Sequence, residues 1–192
     1  VSKACQSALV IADMPFESYK NTELALTNAK QLVSVGADMV KIEGGQEHEE
    51  IFRVLVSNDI NVCGHLGLQP QLVIDSSDYK IQGRDKDSSE LIMSDAILLE
   101  SLGISVLVLE CVPSDLAKNV SSKIGIPTIG IGAGNGCDGQ VLVSYDMLGI
   151  TSGRQPRFVR NFMSSEDSIS LAVSAFVREV KAGTFPSESE SY

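Results

Sequence analysis

Residues 8–16 (ALVIADMPF) and 38–45 (DMVKIEGG) decide how this chain is read. Each is a short apolar run that reaches a carboxylate, Asp13 or Glu43, and then breaks, at Met14-Pro15 in one and Gly44-Gly45 in the other. Four more apolar runs end in polar or glycine-rich tips, at 60–68 (INVCGHLGL), 105–113 (SVLVLECVP), 127–134 (PTIGIGAG) and 140–148 (QVLVSYDML). The runs are β-branched and do not alternate with polar residues, as expected of strands covered on both faces of a parallel sheet. Between them the spacing turns helical. Residues 21–36 put Ala25, Ala29, Leu32 and Gly36 on one face behind an Asn/Thr cap, and residues 88–103 put Ile92, Ala96, Leu99 and Gly103 on another. Residues 46–58 open with Glu47, Glu49 and Glu50, where a helix dipole favours anions. Residues 114–125 begin Ser-Asp, and residues 165–182 turn Ile169, Val173, Phe176 and Val180 inward. Strand and helix in alternation predict an α/β fold with a parallel sheet, whose ligands bind beyond the carboxyl ends of the strands.

The short helix-to-strand links at GAD (36–38) and GIS (103–105) are those of a βα barrel. Six strands are two short of the eight that close such a barrel, and an open doubly wound sheet is the alternative. The glycine-rich GIGAGNG (130–136) lacks both the spacing of a dinucleotide fingerprint and the Lys-Ser/Thr of a P-loop. One domain over residues 1–192 is expected, with a turn-rich, acidic tail at 183–192 that ends disordered. The link from Gln69 to Asp87 is long enough to be functional or mobile.

Composition removes several classes of function. The net charge is −10, from 25 acids against 15 bases, with no tryptophan and no Lys/Arg stripe, so nucleic acid is not a partner. No apolar run reaches the roughly 18–20 residues that span a bilayer, and the start has little of a signal peptide; a cytoplasmic protein is expected. Four scattered cysteines (5, 63, 111, 137) form no CxxC pair and read as reduced thiols.

The chemistry gathers at the tips. Asp13 and Glu43 suit a hard cation such as Mg²⁺, which takes one or two carboxylates and completes its shell with water and substrate. Lys41 stands two residues before Glu43, hence on the same side of the strand, and a lysine inside MVKIE is costly unless paired. Glu110 closes VLVLE, a position where a carboxylate can serve as general base. His65, in CGHLGL, also stands at a strand end, where it either orients a neighbour, contacts substrate or is a satisfied core histidine. His48, in QEHEE, reads as a solvated helix residue.

In family order, the stretches ADMPFESY, GADMVKIEGG, GHLGLQPQ, YKIQGRD, LVLECVP, IPTIGIGAG, CDGQVLVSYDMLG and VKAGTFPSE resemble ketopantoate hydroxymethyltransferase across nearly the whole chain. The resemblance implies a (βα)₈ TIM barrel of the phosphoenolpyruvate/pyruvate type, with six of the eight βα units present here. It implies transfer of a one-carbon unit from 5,10-methylenetetrahydrofolate to 3-methyl-2-oxobutanoate, through a Mg²⁺-stabilised enolate, giving 2-dehydropantoate for pantothenate and coenzyme A. By the same resemblance Asp13 and Glu43 hold Mg²⁺, Asp13 and Lys41 bind the oxo acid, Glu110 accepts the proton, and the protein is a homo-oligomer, a decamer or related ring. The family carries two further βα units ahead of ADMPF, the second ending in a Gly-Asp-Ser segment that supplies a third metal ligand. The expectation is that this front is absent from the sequence in hand rather than from the organism's protein, and that the present chain alone is unstable and weakly active. The competing readings are an inactive barrel fragment and another Mg²⁺-dependent 2-oxo acid lyase or transferase on the same barrel. Two departures stand out: Glu17 replaces the glycine of the family's MPFGSY, and IDSSD (74–78) replaces a more glycine-rich stretch.

Overall fold

A computed structural model describes residues 1–73, 79–153 and 155–192. Its six strands, β1 (Ile11–Asp13), β2 (Met39–Glu43), β3 (Val62–Gly67), β4 (Val106–Glu110), β5 (Thr128–Ile131) and β6 (Gly139–Gln140), form one parallel sheet in sequence order. That order never reverses. A doubly wound sheet reverses its order at the switch point where it binds ligands, so the open alternative is set aside. The register brings the tips level: Asp13 pairs with Lys41, Glu43 with His65, and Gly67 with Glu110.

The connecting helices are α1 (Thr22–Ser34), α2 (Glu49–Ser57), α3 (Lys86–Ser101), α4 (Ser114–Lys123), α5 (Ser144–Met147) and α6 (Ile169–Lys181). Side chains cap three of them: Asn21 accepts from the Leu24 amide, Asp85 from the Ser88 amide and Ser168 from the Leu171 amide. Each satisfies an amide that the helix leaves without a partner, and is worth about 1 kcal/mol. Among the described residues no helix is long and apolar enough to cross a membrane.

Period-two alternation divides the sheet into two faces. One face, with Val40, Ile42, Val62, Leu107 and Leu109, packs on Ala25, Ala29, Phe52, Leu55, Ala96 and Leu99 of the helices. Burying each of the larger side chains contributes roughly 1.5–3 kcal/mol. The opposite face is apolar at its base, where Met39, Cys63, Val108 and Ile131 meet Phe158. Continuing up the same face of the same strands come Lys41, Glu43, His65 and Glu110. The fold thus gives the charged residues a dry floor and an open top.

Besides α6, where Ala172 and Ala175 are buried while Ile169 and Val173, expected inward, are exposed, two expectations of the fold differ from what is observed. The run at 140–148 contributes only the two-residue β6, and Val141 and Val143 are exposed on the way into α5. Asp138 starts this short strand by accepting from the amide and hydroxyl of Thr128, but no described strand lies beyond it to extend the pairing. The second difference is the tail, which is ordered. Glu188–Glu190 forms a 3-10 turn closed by a capping box with Ser187. Arg160 grips Glu190 at 2.7 and 2.6 Å, also bonds Glu179, and lies over the rings of Phe162 and Phe185. Ser114 donates through both its amide and its hydroxyl to the Tyr192 carbonyl. Of the two acids that suggested solvation Glu190 is paired, and Phe185 and Tyr192 anchor the segment against the core.

This docking should be acid-sensitive. Burial alone would raise the Glu190 carboxyl, but bonds from Arg160 and Ser187 outweigh it and hold the group at about 2, against an ordinary 4.5. A depressed carboxyl stabilises the docked tail fully above its unfolded pKa and loses that contribution as pH falls through the folded one. Amide protection factors at 187–191 should therefore drop as pH is lowered from 4.5 toward 2, and should be low at neutral pH in Arg160→Ala.

Candidate active site

Five residues expected at the tips come together. The Lys41 ammonium lies 2.9 Å from Asp13 Oδ1, 3.2 Å from His65 Nδ1 and 3.6 Å from Glu43 Oε1. On the far side of the imidazole, His65 Nε2 lies 3.2 Å from Glu110 Oε2. Glu43, His65 and Glu110 are buried, whereas the Asp13 side chain is 64% exposed at the end of β1. An ammonium has donors and no acceptor, so His65 Nδ1 must accept from Lys41 and the ring proton belongs on Nε2. The Nε2–Glu110 contact is short enough for an ion pair, yet its angle is too bent for a hydrogen bond, leaving a buried N–H unpartnered beside Glu110. Lysine thus sets the tautomer of the histidine that faces the carboxylate.

The donor set fits a hard dication in part. Asp13 and Glu43 both converge on the one positive charge of Lys41, which shows that the sheet top concentrates carboxylate oxygens there. Among the described residues no group of three or more His, Cys, Asp or Glu is spaced to enclose an ion. Two carboxylates and open space match a site that substrate and water complete, not a closed cage.

Several functional neighbours have no periodicity to reveal them. Gln71 donates its amide to Glu43 Oε2 (3.0 Å) and its side-chain nitrogen to the Met14 carbonyl (2.9 Å), while its side-chain oxygen accepts from Tyr19 (2.9 Å). Backbone and side chain of Gln71 together tie the loop after β3 to the end of β2 and to the loop after β1. Tyr19 meets His48 edge-on with ring centroids 5.3 Å apart. His48 is accordingly half-buried against an aromatic ring rather than solvated, because the 3-10 turn Gln46–His48 swings it toward β1. Asp95 of α3 accepts from the Gln46 amide at 3.2 Å, and burial pushes its carboxyl upward despite that bond. A Cβ at Gly45 would lie 2.2 Å from Asp95, so glycine is what lets the helix reach this turn. The only sequence cue to Tyr19 and Gln71 was their place inside ADMPFESY and GHLGLQPQ.

The long link from Gln69 to Asp87 is anchored on both sides. Leu68 donates to the Glu110 carbonyl and Gln82 to the Cys111 carbonyl. Its IDSSD stretch, residues 74–78, lies outside the described residues. Tyr79 stands near Glu110, and burial together with that negative charge raises its hydroxyl above the ordinary value. All four cysteines are free. Burial pushes the Cys63 and Cys111 thiols up to about 12, so neither is a nucleophile near neutrality.

Glu17 occupies the left-handed region at φ 66, a conformation that costs a non-glycine residue about 1–2 kcal/mol. The glycine read at this position in MPFGSY is the residue that fits there. The compensating Lys20–Glu17 pair, at 3.0 Å, is exposed and contributes little. Glu17→Gly should raise stability by about 0.5–1 kcal/mol once the greater unfolded freedom of glycine is subtracted, as read by urea denaturation.

Beside Glu43 the loops after β1, β2 and β3 enclose a pocket of about 300 Å³, walled by Phe16, Tyr19, Glu47, His48, Gln71 and Leu72. Residues 1–188 match the family described as ketopantoate hydroxymethyltransferase. The 3-methyl-2-oxobutanoate hydroxymethyltransferase of Ruthia magnifica subsp. Calyptogena magnifica is 58% identical over 192 residues, covering all of this chain and 74% of that one. The protein of the same name from Erwinia tasmaniensis is 47% identical over 192 residues, covering all of this chain and 73% of its own. Among solved structures, a candidate phosphonomutase from Burkholderia cenocepacia J2315 superposes with a TM-score of 0.50 at 9% identity, over 65% of this chain and 54% of that one. At that identity the likeness speaks for the α/β fold alone.

Proposed function

The chain belongs to the ketopantoate hydroxymethyltransferase family, and on that premise we propose that it transfers a hydroxymethyl group from 5,10-methylenetetrahydrofolate to 3-methyl-2-oxobutanoate, giving 2-dehydropantoate. The observation that carries the reading is the buried Glu110 carboxylate facing, across His65, a lysine and two further carboxylates. In this scheme Glu110 takes the C3 proton of the oxo acid. C3 then bonds to the methylene carbon and water supplies its hydroxyl, as both bonds from that carbon to the two folate nitrogens break and the water's remaining proton passes to one of those nitrogens. The proton held on Glu110 leaves with tetrahydrofolate.

Lys41 places a positive charge where the oxo acid's carboxylate binds, assisted by Asp13, and such fixed charge is worth most in a water-poor site. His65 stands between Lys41 and Glu110, its Nε2 3.2 Å from the base without the alignment of a hydrogen bond. Asp13 and Glu43 would hold Mg²⁺, which when bound supplies Lewis-acid polarisation of the keto group. The family supports the remaining parts of this reading: one domain within a complete (βα)₈ barrel, a cytoplasmic location, and a ring-shaped homo-oligomer such as a decamer. The match over residues 1–188 favours it over a 2-methylcitrate-type lyase on the same barrel.

The test is exchange of the C3 proton of 3-methyl-2-oxobutanoate into deuterated water with Mg²⁺ and no folate, followed by transfer on adding the folate donor. Exchange without later transfer would refute the donor assignment, and no exchange would refute the reaction.

A further inference from the structure

Glu43 is a buried carboxylate, 5% exposed, and very little fixes the direction of its side chain. Its Oε1 stands 3.6 Å from the Lys41 ammonium and 3.8 Å from His65 Nδ1, both beyond hydrogen-bond reach. The ammonium therefore balances the charge of Glu43 without aligning the group. Among the described residues the one hydrogen bond to this carboxylate comes from the Gln71 amide, at 3.0 Å on Oε2. An ionised carboxylate has room for about four such bonds. With a single directional partner, it keeps its orientation only as well as that partner keeps its place.

The partner sits on a segment with little packing of its own. Pro70–Leu72 is a single 3-10 turn with no buried residue, and Leu72 is 61% exposed. Apolar burial does not place Gln71, so its polar contacts must. Its Nε2 donates to the Met14 carbonyl and its Oε1 accepts from the Tyr19 hydroxyl, both at 2.9 Å. Met14 is fully buried and Tyr19 is 7% exposed, and both belong to the main apolar core between the sheet and its helices. A carbonyl can only accept, which fixes the end of the amide that faces Met14. To donate to a carbonyl and accept from a hydroxyl at once takes both halves of an amide, which is what glutamine offers and glutamate or methionine does not.

We propose that Gln71 is the positioning residue of Glu43: anchored by its side chain to Met14 and Tyr19, it holds Oε2 with its amide and leaves Oε1 turned toward Lys41 and the open top of the sheet. The strand brings the carboxylate to the site, and the loop after the next strand sets its last torsions. The assignment rests on the reading of Asp13 and Glu43 as Mg²⁺ ligands, because orientation matters most to a carboxylate that must share one ion with another. Groups that orient metal-ligating carboxylates typically account for about 10- to 100-fold in metal affinity.

The experiment compares the full-length parent with Gln71→Met, Tyr19→Phe and the double variant. Mg²⁺ binding is read by calorimetry with 3-methyl-2-oxobutanoate present, C3 proton exchange separates KM for the oxo acid from the rate at saturation, and urea denaturation reports the fold. Methionine keeps the length of the side chain and loses both of its bonds, so Gln71→Met should weaken Mg²⁺ binding about 10- to 100-fold. KM should rise with it, and the saturated rate should fall by about threefold at most, because Glu110 lies on the far side of His65 and is not touched. Tyr19→Phe should weaken Mg²⁺ binding about 2- to 10-fold, the range for one neutral hydrogen bond. The double variant should bind within about twofold of Gln71→Met, since Tyr19 reaches Glu43 through Gln71. Parent-like Mg²⁺ affinity in Gln71→Met, or losses that multiply in the double variant, overturns the assignment alone. So does a lower saturated rate with affinity and KM unchanged, the mark of a merely structural residue. If Gln71→Met does not fold, Tyr19→Phe decides, and parent-like affinity there overturns the assignment. A parent that binds no Mg²⁺ overturns the metal reading and this assignment together.

Discussion

Glu110→Gln should lower C3 proton exchange by about 10²–10⁴-fold, the range for loss of a positioned general base. The fold should survive the change. Glutamine is nearly isosteric, the Glu110 carbonyl keeps its bond from the Leu68 amide, and the new side-chain oxygen can still face His65 Nε2. No described neighbour can take over the proton. His65 accepts from Lys41 at Nδ1 and carries its hydrogen on Nε2, so neither ring nitrogen is free to act as base. The Cys111 thiol, pushed up to about 12 by burial, stays protonated at neutral pH, and the raised Tyr79 hydroxyl does likewise. Exchange in Glu110→Gln at the parent rate would show that the proton leaves to some other group and that the base is misassigned.

The charged cluster was legible from the chain because a parallel sheet has few degrees of freedom. Side-chain parity places Lys41 and Glu43 on one face, and the βα rhythm puts each strand's tip at the same edge; Asp13, His65 and Glu110 follow. What was not legible depends on loops meeting across the sheet top. Gln71 lies 28 residues from Glu43 and 52 from Tyr19, and no spacing rule ties a glutamine in a loop to either. His48 looked solvated because its neighbours are acidic, and only the turn at Gln46 brings it to Tyr19. The tail was misread for a related reason. Its composition is that of a solvated segment, and the partner that reverses the outcome, Arg160, sits 30 residues away from Glu190. Local signals do not reveal such tertiary pairings.

Lys41→Met should cost about 3 kcal/mol of stability, at the lower end of the range for breaking a buried ion pair. The lysine side chain is 15% exposed and Glu43 5%, so removing the ammonium leaves the Glu43 carboxylate buried with only the Gln71 amide and a His65 nitrogen 3.8 Å away. The Gln71 bond is why the lower end applies. Asp13 contributes little to this cost, since its exposed carboxylate returns to water; Asp13→Asn should change stability by less than about 1 kcal/mol. The cost therefore lies in the stranded charge and not in lost attraction. Removing both members tests that directly. Lys41→Met combined with Glu43→Gln should recover most of the stability lost in Lys41→Met alone, because neutral partners owe no charge desolvation. Exchange activity should not recover with it. The double variant lacks the charge that meets the oxo acid and one proposed metal ligand, and loss of such fixed electrostatic stabilisation costs about 10²–10³-fold. Urea denaturation and proton exchange on the same four proteins separate the two effects. A double variant no more stable than Lys41→Met would mean that the ammonium supports the fold through packing, and that the buried charge of Glu43 is not what the lysine is there to balance.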